Sequence, residues 1–223
     1  MGEAIGGVLP LAVGVALSPI PIIAVVLMLA TPRGRINGPA FVLGWIIGLG
    51  VAGGVILAIS GAADASNQGS PADWVTYLKL GLGIVLILVA ARTWRGRPKP
   101  GEEASFPAWM KAVDQFTPAK SAAIAFALSA INPKNLLITA AAAAAIAQTG
   151  ISTGNQIGAL AVFVLVASLG PGLPVAIYFV MGDKAKGILD DLKAWMARSN
   201  VAIMTVICLI IAAKLIGDAI GNL

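Results

Sequence analysis

From about Ala119 to Gln148 the chain is almost wholly apolar, yet the middle of the run reads Asn132-Pro133-Lys134. Roughly 20 apolar residues suffice to cross a bilayer, so the triplet falls near the midplane. A proline there removes a rung of the helical hydrogen-bond ladder. A lysine there is costly, at ~2.5 to 3.5 kcal/mol on insertion scales. Two defects at one point read as a site.

Composition sets the class around it. The chain is 58% hydrophobic and 11% charged, with a mean hydropathy of +0.92. That is an all-α integral membrane protein rather than a soluble domain. Helices are the expected spanning form, because backbone groups in lipid must pair within their own segment. There is no histidine and one cysteine, Cys208, in an apolar run. Disulfide frameworks and zinc clusters are therefore excluded, and no cofactor or metal is expected. The net charge of +5 is not a nucleic-acid footprint, since the basic residues fall between apolar runs. The N-terminus carries Glu3 instead of a basic region, and its apolar run is too long for a cleaved signal.

Six spans are predicted, at about Ile5–Ala30, Pro39–Ser60, Val75–Ala91, Ala119–Gln148, Gln156–Met181 and Val201–Ile220. The first connection carries Arg33 and Arg35. The third carries Arg92, Arg95, Arg97, Lys99, Lys111 and Lys120, and the fifth Lys184, Lys186, Lys193 and Arg198. The second has Asp64 and Asp73 with Lys79 at its edge, and the fourth has no charge. Basic connections stay in the cytoplasm, so both termini are predicted outside. Two connections carry apolar residues at helical spacing. These are Phe106, Trp109, Met110, Val113 and Phe116 after a Gly96–Glu103 linker, and Ile188, Leu189, Leu192, Trp195 and Met196. Both read as amphipathic helices lying on the inner interface.

The two halves of the chain then correspond. Ser18-Pro19-Ile20-Pro21 interrupts the first span as Asn132-Pro133-Lys134 interrupts the fourth. Gly48, Gly50, Gly53 and Gly54 mark the second span, and Gly170-Pro171-Gly172-Leu173-Pro174 the fifth. Three spans per half is an odd number, so the second half inserts upside down. The pattern is that of an inverted-repeat transporter with its site at the repeat interface. The organisation is a first repeat over 1–92, a cytoplasmic linker over 93–118 and a second repeat over 119–223. Ser18 and Asn132 are good N-caps with Pro19 and Pro133 at the first helical position. Pro21 falls in a first turn, whose amides have no intrahelical partner. Gly170 with Pro171 and Pro174 reads as a third half-helix start. Helix N-termini suit anions, Lys134 adds a positive charge, and no carboxylate lies deep in a span. An anionic group, carboxylate or phosphate, is therefore expected between Ser18 and Lys134, with Asn132 and Asn135 at its edge. Gly50–Gly54 facing Gly170–Pro174 would be the hinge. Simpler readings stand beside these. A proline can be a mere kink, Lys134 can snorkel, and Asn132 and Asn135 can bond between helices. The Ala140–Ala145 run and the Gly44/Gly48 and Gly50/Gly54 pairs suit close packing. Lys214 and Asp218, four apart, suit a local pair.

At these residues the chain resembles a known group. Ser18-Pro19-Ile20-Pro21 and Ile131-Asn132-Pro133-Lys134-Asn135 are similar to the signature pair of the lysine exporter (LysE) superfamily. Leu9–Ile22, Thr31-Pro32-Arg33-Gly34, Gly44-Trp45 and Gly170–Pro174 resemble its glycolipid-addressing (GAP), or sulfolipid-addressing, branch. The resemblance covers essentially the whole chain. It implies six helices in two inverted three-helix repeats, a possible homodimer, and export across the bacterial cytoplasmic (inner) membrane. It also implies a cell-envelope glycolipid or related lipid as cargo. Ile20 stands where the amino-acid exporters usually place glycine, which counts against an amino-acid cargo. The expected function is thus a transporter or flippase moving an anionic lipid or lipid-linked sugar outward by alternating access, with membrane lipids as partners. Two alternatives stay open. One is an exporter of an amino acid or other small solute, and the other is a non-transporting scaffold of a lipid-export machine. The deep spans offer no acid–base pair, nucleophile–base pair or metal cluster, so an enzyme is not expected.

Overall fold

The computed structural model describes residues 1–65, 73–97 and 108–221, with helices throughout and no strand among them. The first expected span is two helices, α1 (Gly2–Ala16) and α2 (Pro19–Leu29), bent by 52°. The fourth is likewise α5 (Pro118–Ala130) and α6 (Pro133–Ala147), bent by 61°. Both bends fall at the predicted prolines. Pro19 and Pro133 each open the second helix of their pair, where a missing N–H costs nothing. Between the pairs run α3 (Gly34–Ala65) and α4 (Asp73–Arg95), and after them α7 (Thr153–Met181) and α8 (Ala185–Ile220). Gly150 (φ 61°) closes the turn after α6, and Gly182 (φ 53°) breaks the chain between α7 and α8. Both angles are left-handed and favour glycine.

Among the described residues three helical stretches are long and apolar enough to cross a membrane, and five if each bent pair is one crossing. The longest, Thr153–Ile220, contains both α7 and α8. Exposed leucines, isoleucines and valines such as Leu43, Ile47, Val55, Leu165, Val180 and Ile210 cover the outside, as a lipid solvent requires.

α2 and α6 form the centre. α6 packs against α1, α3, α4 and α7, and α2 against α3, α7 and α8. Ala141 to Ala144 are all buried, so this small-residue run is a packing surface on every side. α3 lies along α5 and α6, and α7 lies along α1 and α2. A Cβ on Gly44 would come within 2.1 Å of the Ala122 carbonyl oxygen, and one on Gly170 within 2.1 Å of that of Ala16. These glycines let α3 meet α5 and α7 meet α1 at backbone distance. Two side-chain bonds order the ends. Asn37 on α3 donates to the Phe116 carbonyl at 3.0 Å, which brings the α2–α3 connection beside the start of α5. At the other end Lys79 of α4 donates to Gln148 after α6, and Met1 reaches the site of Gly158 on α7.

Five expectations are corrected. α7 runs unbroken through Pro171 and Pro174, so Gly170 starts no half-helix; neighbouring helices absorb the lost rungs. Gly53 faces Leu160 and Thr139 instead of Gly170–Pro174, and Gly50, Gly54 and Gly172 have nothing within 4 Å of a built Cβ. The Gly50/Gly54 pair is therefore not a close-packing face. The first of the two expected amphipathic segments is a 3-10 turn over Ala108–Gln115 whose Met110 and Val113, with Phe116, are buried in the protein core. Trp109 stacks on Phe116 at 6.4 Å; Phe106 and residues 98–103 of the linker lie outside the described residues. The second segment is no separate helix. It is continuous with the last span in the 36-residue α8, which extends ~54 Å at 1.5 Å per residue.

Candidate functional site

The two breaks expose carbonyls, and the site is built on them. Pro19 has no N–H to give Val15, so Ser18 N–H bonds the Val15 carbonyl at 3.1 Å and Leu17 N–H bonds Val13 at 3.0 Å. The Gly14 carbonyl, four residues before the cap, loses its usual main-chain partner. Lys134 Nζ donates to it at 3.0 Å. At the second break Ile131 and Asn132 both bond the Ala127 carbonyl. Leu128, again four residues before the cap, is freed, and Asn135 Nδ2 donates to it at 2.9 Å. The Gly14 and Leu128 carbonyls are thus each taken by a side chain from the first turn of α6.

The two breaks are then joined directly. Lys134 Nζ donates to Ser18 Oγ at 2.6 Å, and Ser18 Oγ donates to Asn135 Oδ1 at 3.2 Å. The direction is set by chemistry: the ammonium only donates, the hydroxyl passes one bond on, and the amide nitrogen ends on Leu128. Ser18, Lys134 and Asn135 are 4%, 4% and 1% exposed. No ion pair to Lys134 is formed among the described residues; both salt bridges there lie on α8. The lysine charge rests on neutral oxygens and on the C-terminal end of α1, the negative end of its dipole.

The sequence-predicted residues divide accordingly. Ser18, Lys134 and Asn135 come together. Asn132 instead caps its own helix, accepting from Lys134 N–H at 3.1 Å. Ser18, expected as a side-chain cap, makes no such bond. Pro19 and Pro21 are buried at the start of α2, while Pro133 is exposed. Ser18 and Lys134 touch, so in this conformation the expected anion position between them is closed. Gly14 was not anticipated. It sits four residues before Ser18 and a Cβ there would strike Ile211 Cδ1 at 2.3 Å, so it brings α8 up behind the lysine.

A second polar group lies at the far ends of α4, α6 and α8. Lys79 is 5% exposed and bonded to Gln148. Lys214 and Asp218 pair at 2.5 Å, as their spacing predicts. Their charges act on Lys79. Lys79 read in the sequence as a connection-edge residue, because burial by neighbouring helices leaves no local signal. No group of three or more potential metal ligands occurs among the described residues.

An all-helical, multi-pass membrane protein with two broken helices meeting at a buried lysine is the class that this fold and core define. Residues 8–221 match the protein-family model described as Sap, sulfolipid-1-addressing protein, and the chain belongs to this SfLAP family. No curated protein and no solved structure matches it.

Proposed function

We propose that the protein exports an anionic lipid or glycolipid, or a lipid-linked cell-envelope precursor, across the cytoplasmic membrane by alternating access. The observation that carries this reading is Lys134. It is a buried ammonium held by a carbonyl and a hydroxyl, with no carboxylate on it among the described residues. An anionic head group that reached it would replace a neutral acceptor with a charged one, and charge-assisted bonds are roughly twice as strong as neutral ones. Ser18 is the residue it would displace, so binding would separate the two breaks and open the contact between the halves. The family description, sulfolipid-1-addressing, is in keeping with a lipid cargo.

Six crossings, counting α7 and α8 separately, fit this mechanism. The packing exchanges the halves: α3 with α5 and α6 answers α7 with α1 and α2, and α4 with α6 answers α8 with α2. That correspondence supports two inverted repeats of the kind the LysE resemblance implies. The Asn37–Phe116 bond groups the first and third connections, both basic, at one end, and Lys79–Gln148 with Met1–Gly158 groups the second and fourth at the other. Both termini outside is the orientation this supports. The reaction requires no enzyme chemistry and no cofactor.

Native mass spectrometry of the purified protein in mild detergent, wild type beside Lys134→Met, tests the reading. A discrete anionic lipid should accompany the wild type and be lost from the variant. The same bound species in both, or only a free amino acid bound, would overturn it.

A further inference from the structure

α6 is held differently from the helices around it. Three helix pairs join one half of the chain to the other at glycine. α3 meets α5 through Gly44 and Gly48, α7 meets α1 through Gly170, and α4 meets α8 through Gly83. At each of these a Cβ would strike the partner helix, so the seams are tight and do not slide without losing their packing. α6 has no glycine. Its middle is Ala141 to Ala144, all buried, with no side chain long enough to interlock. Among the described residues its side-chain bonds to other helices lie at its two ends. At the start, Lys134 and Asn135 bond Gly14, Ser18 and Leu128. At the far end Gln148 accepts from Lys79 of α4. Thr139, between them and fully buried, has no partner for its hydroxyl. Each end also has a joint in the backbone, the bend at Pro133 and the left-handed Gly150.

We propose that α6 is the moving part of the protein, a rod that swings between its two joints inside a frame of glycine-sealed pairs, and that the Lys79–Gln148 bond is the latch that holds its far end shut. Hinged motion of this kind needs a few residues that absorb the backbone change and a body that stays packed. Rocking of whole halves would instead have to open all three glycine seams. Charge sets the direction of the latch. Lys79 is 5% exposed, and its ammonium rests on a neutral amide oxygen. A buried ammonium deprived of its acceptor is strongly unfavourable, and Lys79 regains water when α6 moves away from α4. The Lys214–Asp218 pair beside it belongs to α8, which α4 keeps as its partner in the frame, so it stays in place when α6 moves. The inference concerns which helix moves and not what is carried.

Labelling of the purified full chain in mild detergent with a water-soluble maleimide tests this, in a Cys208→Ala background. Leu82→Cys on α4 and Ala144→Cys on α6 report the latch, since both positions are buried and lie one turn inside it on the same helix faces. Ala125→Cys reports the frame. It is buried on α5 between Ala122 and Ser129, which meet Gly44 and Gly48. With the latch intact all three should label slowly. Gln148→Leu should speed labelling of Leu82→Cys and Ala144→Cys at least tenfold and leave Ala125→Cys unchanged. Lys79→Met, alone or with Gln148→Leu, removes the charge and should leave all three slow. Gln148→Glu gives the ammonium a charged acceptor and should slow both latch reporters at least threefold, which keeps the test available if Gln148→Leu does not fold. Latch reporters that stay slow in Gln148→Leu, or that label as fast or faster in Gln148→Glu, would overturn the proposal. Fast labelling in Lys79→Met would do the same, because the ammonium would not be what drives α6 away. Ala125→Cys speeding up together with the latch reporters would show whole halves separating and would also overturn it. No lipid enters these readouts, so they stand or fall apart from the head-group reading of Lys134.

Discussion

Lys134→Met and Ser18→Ala should have opposite consequences for stability, although the two side chains share a hydrogen bond. In Ser18→Ala the buried ammonium remains. It loses one of its two acceptors, a bond to a charged group worth ~1.5 to 3 kcal/mol. Asn135 Oδ1 loses its donor as well, leaving a buried acceptor unsatisfied at ~1 to 3 kcal/mol. The sum is a destabilisation of ~2.5 to 6 kcal/mol. In Lys134→Met the charge itself is gone, which recovers the ~2.5 to 3.5 kcal/mol that a central lysine costs on insertion scales. Only the Gly14 carbonyl is orphaned, at ~1 to 3 kcal/mol; the Ser18 hydroxyl still donates to Asn135. Methionine fills most of the stem volume, so no large cavity adds to this. Lys134→Met should therefore be neutral to more stable by ~2.5 kcal/mol. At ~2 to 4 °C per kcal/mol for a chain of this size, Ser18→Ala should unfold at least ~5 °C below wild type. Lys134→Met should unfold at or above it. Tryptophan-fluorescence melting in one detergent, with monodispersity checked on each sample, reads both. A Lys134→Met protein that melts below Ser18→Ala would refute the reasoning, because it would mean that the ammonium is a net structural support rather than a charge retained for another role.

Other outcomes follow from the same contacts. Gly170→Ala and Gly44→Ala should each lower the melting temperature, since a Cβ would strike a backbone oxygen at 2.1 Å. Overpacking of this kind costs ~1 to 3 kcal/mol. Gly172→Ala, with open space around it, should be neutral or stabilising by ~0.4 to 1 kcal/mol on the same assay. Gln148→Leu should destabilise by ~1.5 to 3 kcal/mol, because Lys79 keeps its charge and its burial but loses its acceptor; restoration by Lys79→Met in the double variant would show that the pair acts as one. A membrane-impermeant maleimide should label Arg35→Cys only from the cytoplasmic side and Asn155→Cys only from outside. Cys208, fully buried, should stay unlabelled until the protein is denatured.

Local chemistry made the breaks legible. Pro19 and Pro133 lack an N–H, Ser18 and Asn132 tolerate the extended backbone before a helix, and both helices restart where those residues stand. The same marks at Gly170, Pro171 and Pro174 mislead, because α7 continues there with all three buried against its neighbours. A proline opens a helix only where something else claims the released carbonyl and the packing allows a bend. At Gly14 and Leu128 the claimants are Lys134 and Asn135, and nothing in the sequence near Gly14 announces a partner 120 residues away. The first amphipathic stretch departs from expectation for a related reason. Helical spacing shows that one face is apolar but not what covers it, and for Met110, Val113 and Phe116 the cover is protein rather than lipid.

By itself the sequence determined the class, the two helix breaks and the residue types at the centre. These depend on summed hydropathy, on a missing N–H and on capping, all of which act within a few residues. The tertiary structure alone decided that Lys134 reaches α1, that Ser18 bridges instead of capping, that α7 stays whole and that Lys79 is buried. Those outcomes are set by which carbonyls and donors meet across helices, and they exist only once α1, α3, α4, α6, α7 and α8 are packed together.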